Sequence, residues 1–134
     1  LISDSLSTIP EILWIDKDSA VITIMGVIFK DKYQIDQART TDKAIEMSLK
    51  RNYSLIITDL PVGGNTKDIR FISEIKQHEK YRHIPVIAAS ASLSDYSQEY
   101  LYNNGFLYFL SKPFSIKELS AILAEVLHAD TLLT

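Results

Sequence analysis

Asp59, Ser90 and Lys112 close three short apolar runs: Leu55-Ile56-Ile57-Thr58, Val86-Ile87-Ala88-Ala89 and Phe109-Leu110-Ser111. Asp16 closes a fourth, Glu11-Ile12-Leu13-Trp14-Ile15, with Lys17 and Asp18 directly after it. A carboxylate can act as a nucleophile. A hydroxyl donor and a fixed ammonium are the aids that a charged transition state needs set in place beforehand. An acid at the carboxyl end of an apolar strand, at the mouth of a loop, is also where open α/β sheets hold their chemistry. These residues therefore read as one site, with Asp59 as the reactive carboxylate and Asp16, Asp18, Ser90 and Lys112 around it.

The elements that must position them follow from the pattern. Residues 11–16, 33–38, 54–58, 84–89 and 106–110 read as strands, the second interrupted by Gln34, Asp36 and Gln37 and so nearer the sheet edge. Pro85 has no ladder donor to give and belongs at a strand start. Between the strands lie helical signals. Ser19 is a candidate cap for 20–30, with Val21, Ile24, Met25 and Ile28 as its apolar stripe. Thr41 is a candidate cap for a helix to Arg51, with Ala44, Ile45 and Leu49 inward and Asn52 as a left-handed stop. Ile69, Ile72 and Ile75, beside Phe71, mark a helix over 68–79. Ser92 to Asp95 reads as a capping box for a helix ending at Asn103-Asn104-Gly105. Ser115 to Glu118 opens the last helix, whose apolar face is Leu119, Ile122, Leu123, Val126 and Leu127. Residues 1–10 read as a leader or linker, 61–67 as a loop and 128–134 as a fraying tail.

Composition bounds the alternatives. A chain of 134 residues, 46% hydrophobic, supports one compact domain rather than a disordered segment. A net charge of -3 with no Arg/Lys cluster offers no nucleic-acid footprint. Without Cys there is no disulfide scaffold or CxxC chemistry, which sits with a reducing compartment. No apolar run reaches membrane-span length. Gly63-Gly64 lacks the spacing of a phosphate-binding loop, and His78, His83 and His128 lack ligand spacing. A small enzyme with a released product is disfavoured, since no His or second base accompanies the acids.

Five strand signals alternating with five helix signals make a repeated β-α unit, hence a parallel sheet covered on both faces. Right-handed crossovers then bring every strand's carboxyl end to one edge, where Asp16, Asp59, Ser90 and Lys112 all fall.

On these residues the chain resembles the receiver domain of two-component response regulators across residues 11–127. The resemblance implies a flavodoxin-like (βα)5 three-layer sandwich, its parallel five-stranded sheet in order 2-1-3-4-5. It implies that a histidine kinase or phosphotransfer protein passes a phosphoryl group to Asp59, with Ser90 and Lys112 assisting. It implies Mg²⁺ in an acidic pocket made by Asp16, Asp18 and the backbone carbonyl of Pro61, a switch residue at Phe109, and a cis bond before Pro113; Asp18 reads also as an N-cap or surface acid. A cytoplasmic location is implied too, with an output domain in a longer chain or on a separate protein, and with room for a homodimer. Neither nucleic acid nor membrane is expected as a partner of this domain.

The chain also departs from the family pattern. Lys17 stands where the family has a second acid, and is expected either to face solvent or to pair with Asp16 or Asp59. Pro61-Val62-Gly63 alters the loop after the acceptor. Phe109 lacks the hydroxyl of a Tyr-type switch. Two function classes therefore stand: a phosphoacceptor signalling domain, and a phosphorylation-independent pseudo-receiver that serves as an interaction module. Tyr96, Tyr100, Tyr102 and Tyr108 are either packing residues or a binding surface.

Overall fold

The computed structural model describes residues 9–60 and 69–133, with side chains as far as residue 127. Five strands, β1 (Glu11–Ile15), β2 (Gln34–Ala38), β3 (Leu55–Thr58), β4 (Val86–Ser90) and β5 (Tyr108–Ser111), form one sheet in the order β2-β1-β3-β4-β5. All four pairings are parallel. This is the expected order, and β2 is an edge strand as its polar interruptions require.

Side chains alternate across the sheet and create two core layers. Leu13, Ile15, Ile56, Val86 and Ala88 face one side. There they meet α2 (Thr41–Lys50), α3 (Arg70–Lys76) and α4 (Gln98–Asn103) through Ala44, Phe71, Ile72, Ile75 and Leu101. Ile12, Trp14, Leu55, Ile57, Ile87 and Ala89 face the other side. They pack on α1 (Ser19–Ile28) and α5 (Ile116–Leu133) through Ile22, Met25, Phe29, Leu119 and Leu123. Each such aliphatic side chain contributes about 1.5–3 kcal/mol when fully buried. The β1, β3 and β4 strands read as continuous apolar runs because both of their faces are covered.

Several local expectations are corrected. Asp18, not Ser19, caps α1, its Oδ1 accepting from the Ala20 amide at 3.0 Å. Thr40, not Thr41, caps α2, accepting from the Lys43 amide at 3.1 Å. In both cases the residue with extended backbone precedes the first helical residue by one, and neighbouring cap-type residues leave sequence alone unable to choose. The inward stripe of α1 is Ile22, Met25 and Phe29; Val21, Ile24 and Ile28 face solvent. That helix is apolar nearly all round, so periodicity does not select the docked face. In α2 it is Ser48 that is buried and Leu49 that is exposed. The Ser48 hydroxyl is satisfied by donating to the Ile45 carbonyl.

Asn52 is not left-handed, because Gly105 is the only described residue with positive φ. Ser92 opens only a 3-10 turn, Leu93–Asp95, without side-chain capping. The α4 helix starts later, where Ser97 Oγ accepts from the Tyr100 amide at 3.0 Å. The fifth strand begins at Tyr108 rather than 106, because the Phe106 amide is already donated to the Leu101 carbonyl at the end of α4. The fourth strand is shifted from 84–89 to Val86–Ser90, leaving Pro85 just outside the ladder, where its carbonyl accepts from the Ile56 amide.

The last helix opens as expected. Ser115 Oγ accepts from the Glu118 amide, and Glu118 Oε1 accepts from the Ser115 amide. Tyr81, fully buried, holds the end of α2: its hydroxyl lies 2.8 Å from the Ser48 carbonyl and 2.6 Å from that of Arg51. Tyr96 is buried and Tyr100 packs against the same core, whereas Tyr102 is exposed.

The α4 helix ends in a Schellman closure, with Phe106 N–H on the Leu101 carbonyl and Gly105 N–H on that of Tyr102. Gly105 takes φ +94, and a Cβ there would stand 3.3 Å from Lys76 Cε and Nζ. Gly105→Ala is expected to lower unfolding free energy by about 1–2 kcal/mol, from left-handed strain and crowding together. Urea denaturation measures it; an unchanged midpoint would contradict this account of the α4 terminus.

Candidate functional site

Three strand ends meet at the carboxyl edge of the sheet. Lys112 Nζ lies 2.6 Å from Asp16 Oδ2 and 3.1 Å from Asp59 Oδ1, so one ammonium bridges two carboxylates. Burial by itself would lower the Lys112 pKa, but hydrogen bonds and charge from Asp16 and Asp59 outweigh it, and the net shift is upward. The two acids differ in access: the Asp16 side chain is 9% exposed and that of Asp59 39%. An incoming reagent therefore meets Asp59 first.

Backbone pairing sets this geometry. The Asp16 amide donates to the Ala38 carbonyl and the Asp59 amide to that of Ile15, extending the ladder by one step at β1 and β3. The Lys112 amide donates to the Ser90 carbonyl, tying the β5 exit to β4. The Lys112-Pro113 peptide is cis, as the resemblance implied. Ser90 is buried, its Oγ donating to the Leu60 carbonyl at 3.3 Å and accepting from the Ser92 amide at 2.9 Å. The hydroxyl thus stands beside the residue that follows Asp59, though its hydrogen is turned to backbone.

The remaining candidates are placed as follows. The Asp18 amide donates to Asp16 Oδ1 at 3.0 Å, while its own Oδ1 caps α1. Lys17 is exposed and lines the same cleft as Asp16 and Asp59; among the described residues it makes no ion pair. The cation that pairs with both acids is Lys112. Phe109 is partly buried against the core under α2, α3 and α4. Pro61 and the rest of the 61–67 loop lie outside the described residues, as does the side chain of His128.

Some lining residues escaped the sequence reading. A cleft of about 360 Å³ beside Asp59 is walled by Arg39, Thr40, Thr41 and Thr58 as well as Lys17. Arg39 Nη1 donates to Ser19 Oγ at 2.6 Å, and Gln37 Nε2 to the Asp16 carbonyl at 2.8 Å. Their signal was available, because the end of the second strand reaches the same edge. On the far side of Lys112, a groove of about 390 Å³ runs between Val21, Met25, Pro113 and Phe114.

A family model described as "Response regulator receiver domain" matches residues 12–124. The chain belongs to that family. Among curated proteins, it is 28% identical over 109 residues to the transcriptional regulatory protein ResD of Bacillus subtilis, covering 81% of this chain and 44% of that one. This receiver spans about half the length of the curated relatives it matches. Among solved structures, the receiver domain of sensor histidine kinase PA1611 from Pseudomonas aeruginosa PAO1 superposes with a TM-score of 0.70 at 26% identity, covering 89% of this chain and 98% of that one. That structure has a magnesium ion coordinated in its active-site cleft. The chemotaxis response regulator CheY4 of Vibrio cholerae gives a TM-score of 0.76 at 20% identity, over 89% and 99% of the two chains, a likeness of fold.

Whether this receiver's residues suit such an ion is a matter of charge as much as ligand count. Among the described residues, no three His or acidic side chains gather to hold a metal. Two carboxylates with water would satisfy Mg²⁺ by number. Here, however, both are already bridged by an ammonium, and a second ammonium, that of Lys17, lines the cleft. The described donors are thus two carboxylates already paired with one cation, with a second cation on the cleft wall.

The raised Lys112 pKa has a stability consequence with a fixed sign. A lysine whose folded pKa exceeds its unfolded value contributes stability that is complete below the ordinary lysine value, about 10.4, and lost as pH climbs through the folded one. Lys112→Met removes that contribution, leaves Asp16 and Asp59 uncompensated and is expected to cost about 1–2 kcal/mol at neutral pH, less than a fully buried pair. Urea midpoints of wild type and variant should converge as pH rises past the lysine range; a constant gap would mean that the bridge adds no stability.

Proposed function

We propose that Asp59 is the phosphoacceptor of a two-component signalling receiver, phosphorylated by a histidine kinase or phosphotransfer protein. The observation that supports this most is the Lys112 bridge: an ammonium 3.1 Å from one Asp59 oxygen, on the more exposed of the two acids. In the reaction an Asp59 oxygen attacks phosphorus while the bond from phosphorus to the donor's nitrogen or oxygen breaks, its electron pair leaving with the donor. Lys112 turns from the carboxylate to the transferred oxygens as negative charge gathers on them. Ser90 adds a hydroxyl once its hydrogen leaves the Leu60 carbonyl, so phosphorylation pulls β4 toward Asp59. Phe109, the neighbour of Ala88 across the β4–β5 ladder, is the side chain that would repack in response. Output is read on the face of α4, β5 and α5, where Tyr102 and Leu107 are exposed. A cytoplasmic setting belongs to the same reading.

A second reading has its own observation. With Lys112 bridging both acids and Lys17 on the cleft wall, the pocket carries positive charge before any phosphate arrives. A pseudo-receiver, working as an interaction module in one fixed state, would use those charges for stability alone.

Incubation with a small phosphodonor, followed by intact mass, separates the two. The acceptor reading expects one added phosphoryl mass in wild type and none in Asp59→Asn, with NMR shifts changing at Ser90, Phe109 and along β5. No mass gain under any donor, or equal gain in the Asn variant, would leave only the interaction module.

A further inference from the structure

We infer that this acceptor works without a divalent cation, Lys17 supplying at the Asp59 cleft the positive charge that an ion would otherwise bring. The inference rests on the acceptor reading above and deepens it. Where the family pattern has an acid, this chain has a lysine, so one side-chain charge changes from minus to plus. That change equals the charge of a divalent ion: Lys17 and Lys112 now stand with Asp16 and Asp59 at the strand ends. The acid that might have restored a metal site, Asp18, spends its Oδ1 on capping α1.

Position supports the substitution as well as charge. Lys17 lines the cleft on which Asp59 opens, together with Thr40, the cap of α2, while Lys112 reaches Asp59 Oδ1 from the β5 side. A phosphoryl group approaching Asp59 therefore enters a cleft lined by one lysine and meets a carboxylate already touched by a second, from another strand end. Arg39, tethered to Ser19, adds a third cation on the wall of the same cleft. Positive charge arranged in advance around the transferred oxygens is the main thing that phosphoryl transfer asks of a protein. A flexible lysine in reach of solvent provides less of it than a fixed ion, and this acceptor is expected to react slowly but independently of metal.

The test compares wild type with Lys17→Asp, Lys17→Ala and Lys17→Arg in two assays. One is a Mg²⁺ titration followed by amide NMR. The other is the rate of labelling by a small acyl phosphate, read by intact mass, with Mg²⁺ or with EDTA. Wild type should show no saturable Mg²⁺ binding and should label at the same rate in both solutions. Lys17→Asp should gain saturable Mg²⁺ binding and lose labelling in EDTA. Lys17→Ala should slow labelling on the order of tenfold, below the hundredfold that a buried oxyanion donor provides, and Lys17→Arg should recover most of it. Wild type that saturates with Mg²⁺ as readily as Lys17→Asp, or that labels only with Mg²⁺, would overturn the inference while leaving Asp59 as acceptor. Wild type that labels in neither solution, even with Mg²⁺ binding absent, would overturn the acceptor reading itself.

Discussion

One ammonium held between two carboxylates is the constraint from which the rest of this molecule can be understood. Asp16 and Asp59 end adjacent parallel strands, so their side chains are forced close and would repel if left alone. Lys112 reaches both from β5, two strands away from β3 across the sheet, with contacts of 2.6 and 3.1 Å. The β5 exit that carries Lys112 is tied to β4 by the bond from the Lys112 amide to the Ser90 carbonyl. The bridge ties together three strand ends whose sequence separations are 53 and 96 residues.

The scaffold makes such convergence cheap to hold. The β1, β3 and β4 strands are buried on both faces, and the two core layers leave them little freedom to shift register. A one-residue slip would turn each apolar side chain into the wrong layer and move the terminal acid off the edge. Most of the stability therefore resides in the apolar middle of the sheet, and the opposed charges of the polar edge add a smaller share. The exposed side of α1 and the groove beside Phe114 show where that economy stops, since apolar surface there is not used by the core.

Lys17 is one place where the chain departs from the pattern it resembles. A residue change at one strand end reverses the local charge without disturbing any core contact, because the side chain is exposed. The fold can therefore tolerate a different electrostatic solution to the same problem of holding negative charge at Asp59. Asp18 illustrates the competing demand: a short acid just before a helix is drawn into capping, where its oxygen satisfies an otherwise unpaired amide.

Sequence alone determined the class of fold, the strand order implied by the family likeness, and the gathering of Asp16, Asp59, Ser90 and Lys112 at one edge. The fold class and the shared edge follow from the alternation of apolar runs and the handedness of crossovers; the strand order came from the resemblance alone. Sequence did not determine which neighbour in Asp18-Ser19 or Thr40-Thr41 became the cap, since both members of each pair can accept the bond and backbone dihedrals decide. Nor did it determine the buried stripe of α1, where apolar residues lie on every side and only docking into the core layer that also holds Trp14 and Leu119 selects Ile22, Met25 and Phe29. The partner of the two acids was settled by tertiary structure: Lys17, adjacent in sequence, stays exposed at the cleft, and Lys112 makes both contacts.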